Sequence, residues 1–353
     1  MARAHAFLLR ATFVVTLVPA ATSWSQVNTV AIVLTYPISA RAAAMGETGV
    51  ADNSDPANVF FNPANVVGSA NVYLQGSRWD MTPILADDLW TGGGSAGISY
   101  ERASGSQPLT LSADFSYGRF DYGESVATDP TGVPLGTFHS KEEYYALTIG
   151  AGFVFSDRWN LRLGGAIKRW DGDFAPAEIS TSVEPAEFEA FAYDIGATLA
   201  LQTSVTEWSI TPALAVAFVD AGPDVEIPES SDDPLPTRFQ FGASVRVESP
   251  TTRILSAAVP VIAVVYNVDA TERFHGNPFS WGIGGELALA QILFVRAGSA
   301  DFDDEEGEPS DDGSGWGVGL GIPVGSFRAR FDFTKTTAFY EEDKYGFAIN
   351  WLL

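Results

Sequence analysis

The sequence predicts an all-β chain that closes into a transmembrane up-and-down antiparallel β-barrel of about fourteen strands, with an N-terminal hatch or plug segment. Three observations predict it. From about Ala70 onward apolar and polar residues alternate with period two, the signature of strands with two unlike faces. Many of these segments approach the ~9–11 residues that cross a bilayer. The connections between them alternate short and long, as turns on one side of a membrane and loops on the other do. A soluble sandwich would bury the apolar face as its core, but its Greek-key connections would not alternate in length so regularly.

Composition fits the same class. The chain has 353 residues, enough for one large β domain or two smaller ones. Hydrophobic residues make up 46% and charged residues only 18%, a low charge content for a soluble protein. The 34 glycines and 12% aromatics suit tight turns and an aromatic outer surface. The net charge of -24 argues against nucleic acid, which needs clustered Lys and Arg. Without cysteine there is no disulfide, thiolate metal site or cysteine nucleophile.

Along the chain, residues 1–25 read as a signal peptide: Arg3 and Arg10, an apolar run over 11–21, then small residues with cleavage near Ser23 to Ser25. That run is too short for a spanning helix. Residues 26–69 are the lead-in and hatch, and residues 70–353 the barrel. The stretch 40–67 mixes small residues, Gly46 and Gly49, a polar patch at Asp52 to Asp55, and Phe60-Phe61-Asn62-Pro63-Ala64. No regular strand or long helix fits so many breakers, yet the stretch is too apolar for a free tail. Pro63 fixes a backbone angle, Asn62 can close a turn, and Phe60 and Phe61 can pack on an inner wall.

The strands are expected at 71–80, 94–102, 108–122, 143–156, 160–173, 188–203, 207–221, 237–248, 253–266, 279–289, 292–303, 314–324, 328–338 and 344–353. In the segment 237–248, Phe239, Phe241, Ala243, Val245 and Val247 share one face, and Arg238, Gln240, Gly242, Ser244, Arg246 and Glu248 the other. The polar phase of the strands names a lumen-lining set: Asp114, Arg162, Lys168, Arg238, Arg246, Glu248, Glu286, Arg328, Arg330 and Asp332. Charge facing lipid would be costly. The set is either a polar route, a salt-bridge network locking the hatch, or simply a watery interior. The inward row Gly315, Gly317, Gly319 and Gly321 leaves one wall open to close backbone approach. Gly118 is a candidate kink in the third strand.

Enzyme chemistry finds little support, and no cofactor or metal is expected. Beyond the leader the only histidines are His139 and His275. The pair His139-Ser140 does not make a triad by adjacency. Gly92-Gly93-Gly94 precedes no helix and is read as a loop, not a phosphate cradle. The acidic run 301–312 does not have EF-hand spacing and reads as a solvated loop, with Ca²⁺ binding as the alternative.

The residues Ala40-Arg41-Ala42-Ala43-Ala44-Met45-Gly46, then Gly49-Val50-Ala51, then Asn62-Pro63-Ala64 carry a resemblance. The chain resembles the FadL-like outer-membrane barrels, most closely their PorV/PorQ branch. The resemblance implies a hatch inside a fourteen-stranded barrel, with Arg41, Met45, Gly46, Gly49, Phe60, Phe61, Asn62, Pro63 and Ala64 as hatch or gate residues. It implies the outer membrane of a Gram-negative cell, outer-membrane lipid around the barrel, and barrel-insertion machinery during biogenesis. Two functions follow from it as expectations: passage of small hydrophobic ligands, or binding of secreted cargo proteins or secretion machinery in type IX secretion. In the FadL-like family a kinked third strand opens a lateral exit, which is the role Gly118 would take.

Overall fold

The computed structural model describes residues 30–68, 70–81, 88–102, 108–129, 131–155, 158–174, 187–226, 233–272, 279–301, 313–336 and 342–351. The predicted signal peptide, His275 and most of the acidic run 301–312 lie outside the described residues. The strands are β1 (Val72–Asp80), β2 (Trp90–Arg102), β3 (Leu109–Thr128), β4 (Pro134–Val154), β5 (Trp159–Asp173), β6 (Glu187–Leu201), β7 (Thr203–Val205), β8 (Trp208–Ala221) and β9 (Arg238–Glu248). They continue as β10 (Thr251–Ile254), β11 (Ala257–Pro260), β12 (Ile262–Glu272), β13 (Phe279–Leu289), β14 (Leu293–Asp301), β15 (Gly313–Val324), β16 (Phe327–Thr336) and β17 (Glu342–Trp351).

Every neighbouring pair is antiparallel, and β1 pairs with β17, so the sheet closes on itself. The short β7 continues the line of β6 beside β8, which leaves fourteen barrel staves. Closure removes the unpaired edges that an open sheet would expose. The side-chain phase then sorts the surface. Leu147, Ile149, Ile195, Leu214, Ile283, Val318, Leu320 and Phe331 stand exposed on the exterior. Such a belt is the surface a strand barrel presents to lipid. Its inward counterparts Thr148, Asp194, Thr198, Glu286, Arg296 and Asp332 are buried.

Two expected segments are corrected. The ninth expected strand, 253–266, is not one strand. Leu255 and Ser256 take left-handed φ values of 47° and 63° and turn the chain, so β10 and β11 form a separate hairpin. The barrel stave is β12, which extends to Glu272. The alternating apolars Leu255, Ala257, Val259 and Val261 look continuous with the stave in sequence, which hid the turn. The expected long loop 123–142 is instead a protruding hairpin: β3 and β4 stay paired to Thr128 and Pro134, past a register shift between Asp121 and Glu124.

The expected kink at Gly118 is also corrected. Gly118 pairs with Gly93 on β2 and Tyr144 on β4 without interruption. Its missing side chain makes room for the Tyr144 ring, which packs where a Cβ would stand.

The N-terminal passage lies against the inner wall. It is built from short pieces: a 3-10 turn at Ile32–Leu34, the helix α1 (Ala40–Ala44), and 3-10 turns at Pro56–Phe60 and Pro63–Val66. Ser39, Asp55 and Asn62 each cap the following piece with a side-chain oxygen. Wall glycines set its depth. Gly282, Gly284 and Gly298 hold the Met45–Gly46 backbone, with Thr48 also over Gly282 and Gly284. Gly315 and Gly317 face α1 at Ala43 and Ala44, so that part of the expected glycine row contacts the passage, while Gly319 and Gly321 face wall groups. Gly46 itself has φ 64° and sits on the Ser299 backbone, where any larger residue would be strained and would clash.

Two outcomes test this arrangement. Val318→Arg, at the middle of β15 on the exterior, lowers stability in phospholipid vesicles by about 2–4 kcal/mol, read by reversible denaturation; an unchanged stability places that face away from lipid. In Gly284→Val a side chain enters the space of Met45 Cβ and Thr48 Oγ1, 2.6 and 2.7 Å from the first added carbon. Overpacking of this kind costs about 1–3 kcal/mol, so trypsin cleavage at Arg41 accelerates while the circular dichroism of the strands is retained.

Candidate functional site

The interface between passage and wall concentrates the buried charge. Ser39 Oγ accepts the Ala42 N–H at 3.0 Å and starts α1, whose small residues let the backbone approach the glycine wall. That approach carries Arg41 into the lumen, 1% exposed. Arg41 donates through Nε and Nη2 to both oxygens of Glu286, at 2.8 and 3.1 Å, and through Nη1 to Asp52 at 2.8 Å. Glu286 also meets Arg296 at 2.5 Å, and Arg296 meets Asp332 at 2.6 Å. Asp332 meets Arg330 at 2.7 Å, and Arg330 returns to Asp55 of the passage at 2.7 Å. The chain of charges Asp52–Arg41–Glu286–Arg296–Asp332–Arg330–Asp55 thus begins and ends in the passage and alternates in sign throughout.

Its energetics follow from burial. An exposed ion pair contributes little, but removing one partner of a buried pair strands the other and costs about 3–5 kcal/mol. Burial disfavours the Arg41 charge, yet Glu286 and Asp52 hold it well above the usual guanidinium range. Burial likewise pushes the Asp52 carboxyl up, but Arg41 and the Ser54 N–H bring it net below its usual value.

A second set of contacts is polar and uncharged on the passage side. Asp269 accepts the Gly49 and Val50 N–H groups at 2.6 and 2.9 Å. Thr334 Oγ1 donates to the Ala40 carbonyl at 2.6 Å. Asn62 caps its turn by accepting the Ala64 N–H at 2.9 Å, while its Nδ2 donates to the Val50 carbonyl at 2.9 Å and to Thr198 at 3.1 Å. Asn58 and Asn65 donate to the Asp52 and Gly49 carbonyls at 2.7 and 2.9 Å. Three asparagines therefore tie the segment 58–65 to 49–52. Pro63 and Ala64 rest on Gly164, and Asn62 on Gly196.

On the loop side the lumen is filled by the lead-in. Val33, Leu34 and Tyr36 pack with Met81, Phe120, Tyr144 and Trp170. Glu142 accepts the Val33 N–H and the Trp170 indole N–H, each at 3.1 Å, and the Tyr122 hydroxyl. Lys168 pairs with Asp194 and Asp220 at 2.8 and 2.6 Å. Arg238 pairs with Asp220 at 2.5 Å and donates to the Leu34 carbonyl at 2.9 Å. Both cations flank the Phe60 ring, at 5.8 and 5.1 Å from its centroid, a favourable placement over a π face. Phe60 and Phe61 meet edge to face and pack with Ala42 and Val50.

The expected lumen set is divided by the structure. Glu286, Arg330 and Asp332 join the chain through Arg41, and Lys168 and Arg238 join the loop-side cluster. Asp114 stands apart, accepting the Tyr73 hydroxyl at 2.7 Å. Among the described residues Arg246 and Glu248 pair with each other at 2.7 Å, and both are partly buried. Arg328 bonds the carbonyls of Gly325, Phe327 and Ala258 beside the β10–β11 hairpin. Arg162 is buried and separate. Sequence reasoning missed Arg296, Asp194, Asp269, Asp220, Glu142 and Lys344, the last buried and donating to the Pro37 carbonyl of the lead-in. Arg296 and Asp194 carry the inward phase of their strands and were legible from it. Asp269 and Glu142 fell in expected loops. Asp220 is buried through a left-handed φ of 59°, for which alternation has no signal.

Two further outcomes follow. Arg41→Ala leaves Asp52 without its cation and Glu286 with Arg296 alone, and lowers stability by about 3–5 kcal/mol, read by denaturation. Hydrogen exchange of residues 40–67 follows pH with a defined sign. Because the folded pKa of Asp52 is depressed, its contribution is present above the ordinary carboxylate value near ~4 and is lost only as pH falls through the lower folded value. The passage therefore keeps its protection through pH ~4 and loses it in stronger acid.

No family model and no curated protein matches the chain. Solved structures similar to it include the toluene transporter TodX of Pseudomonas putida, at 11% identity and TM-score 0.46 over 88% of this chain and 96% of that one. The toluene transporter TbuX of Ralstonia pickettii is similar at 12% identity and TM-score 0.46, over 89% and 98%. The β domain of the Bordetella autotransporter BrkA is similar at 9% identity and TM-score 0.43, over 81% and 100%. At such scores the barrel assignment rests on the strand pairing of this chain itself.

Proposed function

We propose that the chain is an outer-membrane transporter for small apolar molecules, with residues 40–67 as a hatch that gates the lumen. The observation that carries this reading is the way the passage is held. It is docked mainly by directional polar contacts, ending in the Arg41 and Arg330 pairs, against a wall of glycines. Such a seat is released as a unit when a few ion pairs exchange partners, whereas a continuous apolar core is not. The apolar exterior supports the membrane setting, reached after removal of residues 1–25 and insertion by the barrel-insertion machinery.

The test compares three proteins in liposomes: the whole mature protein, one lacking residues 40–67, and the double variant Arg41→Ala, Arg330→Ala. Swelling in a small permeant solute is slowest for the whole protein, fastest for the deletion, and intermediate for the double variant. Equal permeability of all three ends the gate reading.

One observation favours a second reading, a PorV-like barrel that receives secreted cargo at its rim. The tip of the β3–β4 hairpin carries Val126, Val133 and Leu135, each more than half exposed at 57%, 56% and 55%. Asp129 stiffens this tip by accepting the Thr131 and Val133 N–H groups at 2.8 and 2.9 Å. Exchange of the three apolar residues for serine leaves transport unchanged under the first reading and abolishes cargo retention at the cell surface under the second.

A further inference from the structure

Arg162 is a charged group that the passage does not use. It projects inward from β5, is 4% exposed, and its Nε has no hydrogen-bond partner. It makes no ion pair or hydrogen bond to any described residue. Every other buried lumen cation named above has a carboxylate or carbonyl. Asp52 is the charged neighbour whose field reaches it, but that carboxylate is already engaged by Arg41, the Ser54 N–H and Asn267. An isolated buried charge costs several kcal/mol, so an unmatched guanidinium in a filled lumen points to a partner that comes from outside the chain.

The surroundings specify its chemistry. Thr198 faces Arg162 in register on β6, which brings their Cβ atoms to about 4.5–5.5 Å. Thr198 Oγ1 accepts from Asn62, which leaves its own proton free to be donated. The inward positions around it are small or polar: Thr110 shares its row across Gly152 and is only partly buried, Ser112 lies one step towards the loops, and Ala200 one step towards the turns. Val67 closes the other flank over Gly152, beside the Arg162 stem. A planar guanidinium fork and a hydroxyl donor, side by side among small inward residues, match an oxyanion.

We propose that Arg162, with Thr198, forms a binding site for a small oxyanion, a carboxylate or a phosphate, in the turn-side half of the lumen beneath the passage. The site stands independently of gating, because its occupancy is read without any permeation.

The experiment titrates the whole mature protein in detergent with sodium acetate in one arm and sodium phosphate in the other, against chloride at equal ionic strength. Calorimetry and the thermal midpoint are the readouts. One oxyanion binds near one per chain and raises the midpoint above chloride, and the responding arm identifies carboxylate or phosphate. Arg162→Gln weakens that binding roughly ten- to hundredfold, while without anion it is as stable as the wild type. Arg162→Lys, which keeps the charge and loses the fork, binds with intermediate affinity and serves if the Gln variant does not fold. The proposal is overturned if neither oxyanion exceeds chloride, or if the effect is unchanged in the variants. It is equally overturned if Arg162→Gln strongly destabilises the anion-free protein, since that reveals a structural partner.

Discussion

Glu286 accepts Arg41 from the passage and Arg296 from the wall, and the rest of the lumen is arranged around that double acceptance. A closed barrel in lipid turns its polar faces inward, where they must satisfy one another. Around Glu286 they do so by alternation of sign: each carboxylate of the chain lies between guanidinium groups or at a terminus in the passage. Neither the passage nor the wall could bury its share of charge alone. Arg41 without Glu286 is an uncompensated cation, and Glu286 without Arg41 retains only Arg296.

Glycine provides the geometry for that exchange. The passage cannot carry Arg41 to Glu286 unless its backbone comes within van der Waals contact of β13, β14 and β15, and the glycines at 282, 284, 298, 315 and 317 make that approach feasible. The same device recurs opposite, where Gly164 and Gly196 receive Pro63 and Asn62. Small residues on the passage and absent side chains on the wall are two halves of one packing solution. The asparagines at 58, 62 and 65 then satisfy backbone carbonyls that a helix or strand would have satisfied for itself. This is how a segment with so little regular structure remains buried.

Legibility followed the range of the physics. Strand phase is a local property, so the staves and their inward faces were readable wherever alternation was unbroken, as in β9 and β16. The expectation failed where alternation continued through a turn. Residues 251–261 keep an apolar rhythm while Leu255 and Ser256 reverse direction, and this moved the expected stave and hid Asp269 in a loop. Gly118 was legible as a special position, yet its purpose was the opposite of a kink: it admits the Tyr144 ring into an intact sheet.

The residues alone determined that the chain is built of two-faced strands joined by alternating turns and loops, and that residues 40–67 are too broken to be a strand and too apolar to be free. They also placed Glu286, Arg330 and Asp332 in a polar phase, and Arg41 in that broken stretch. Only the tertiary structure decided that these four meet, through Arg296 and two aspartates, and that Arg162 in the same phase makes no ion pair or hydrogen bond among the described residues. The reason is that phase is set by each strand's own pleat, whereas partnership is set by barrel closure, which brings together side chains up to 275 residues apart across a lumen that no local pattern describes.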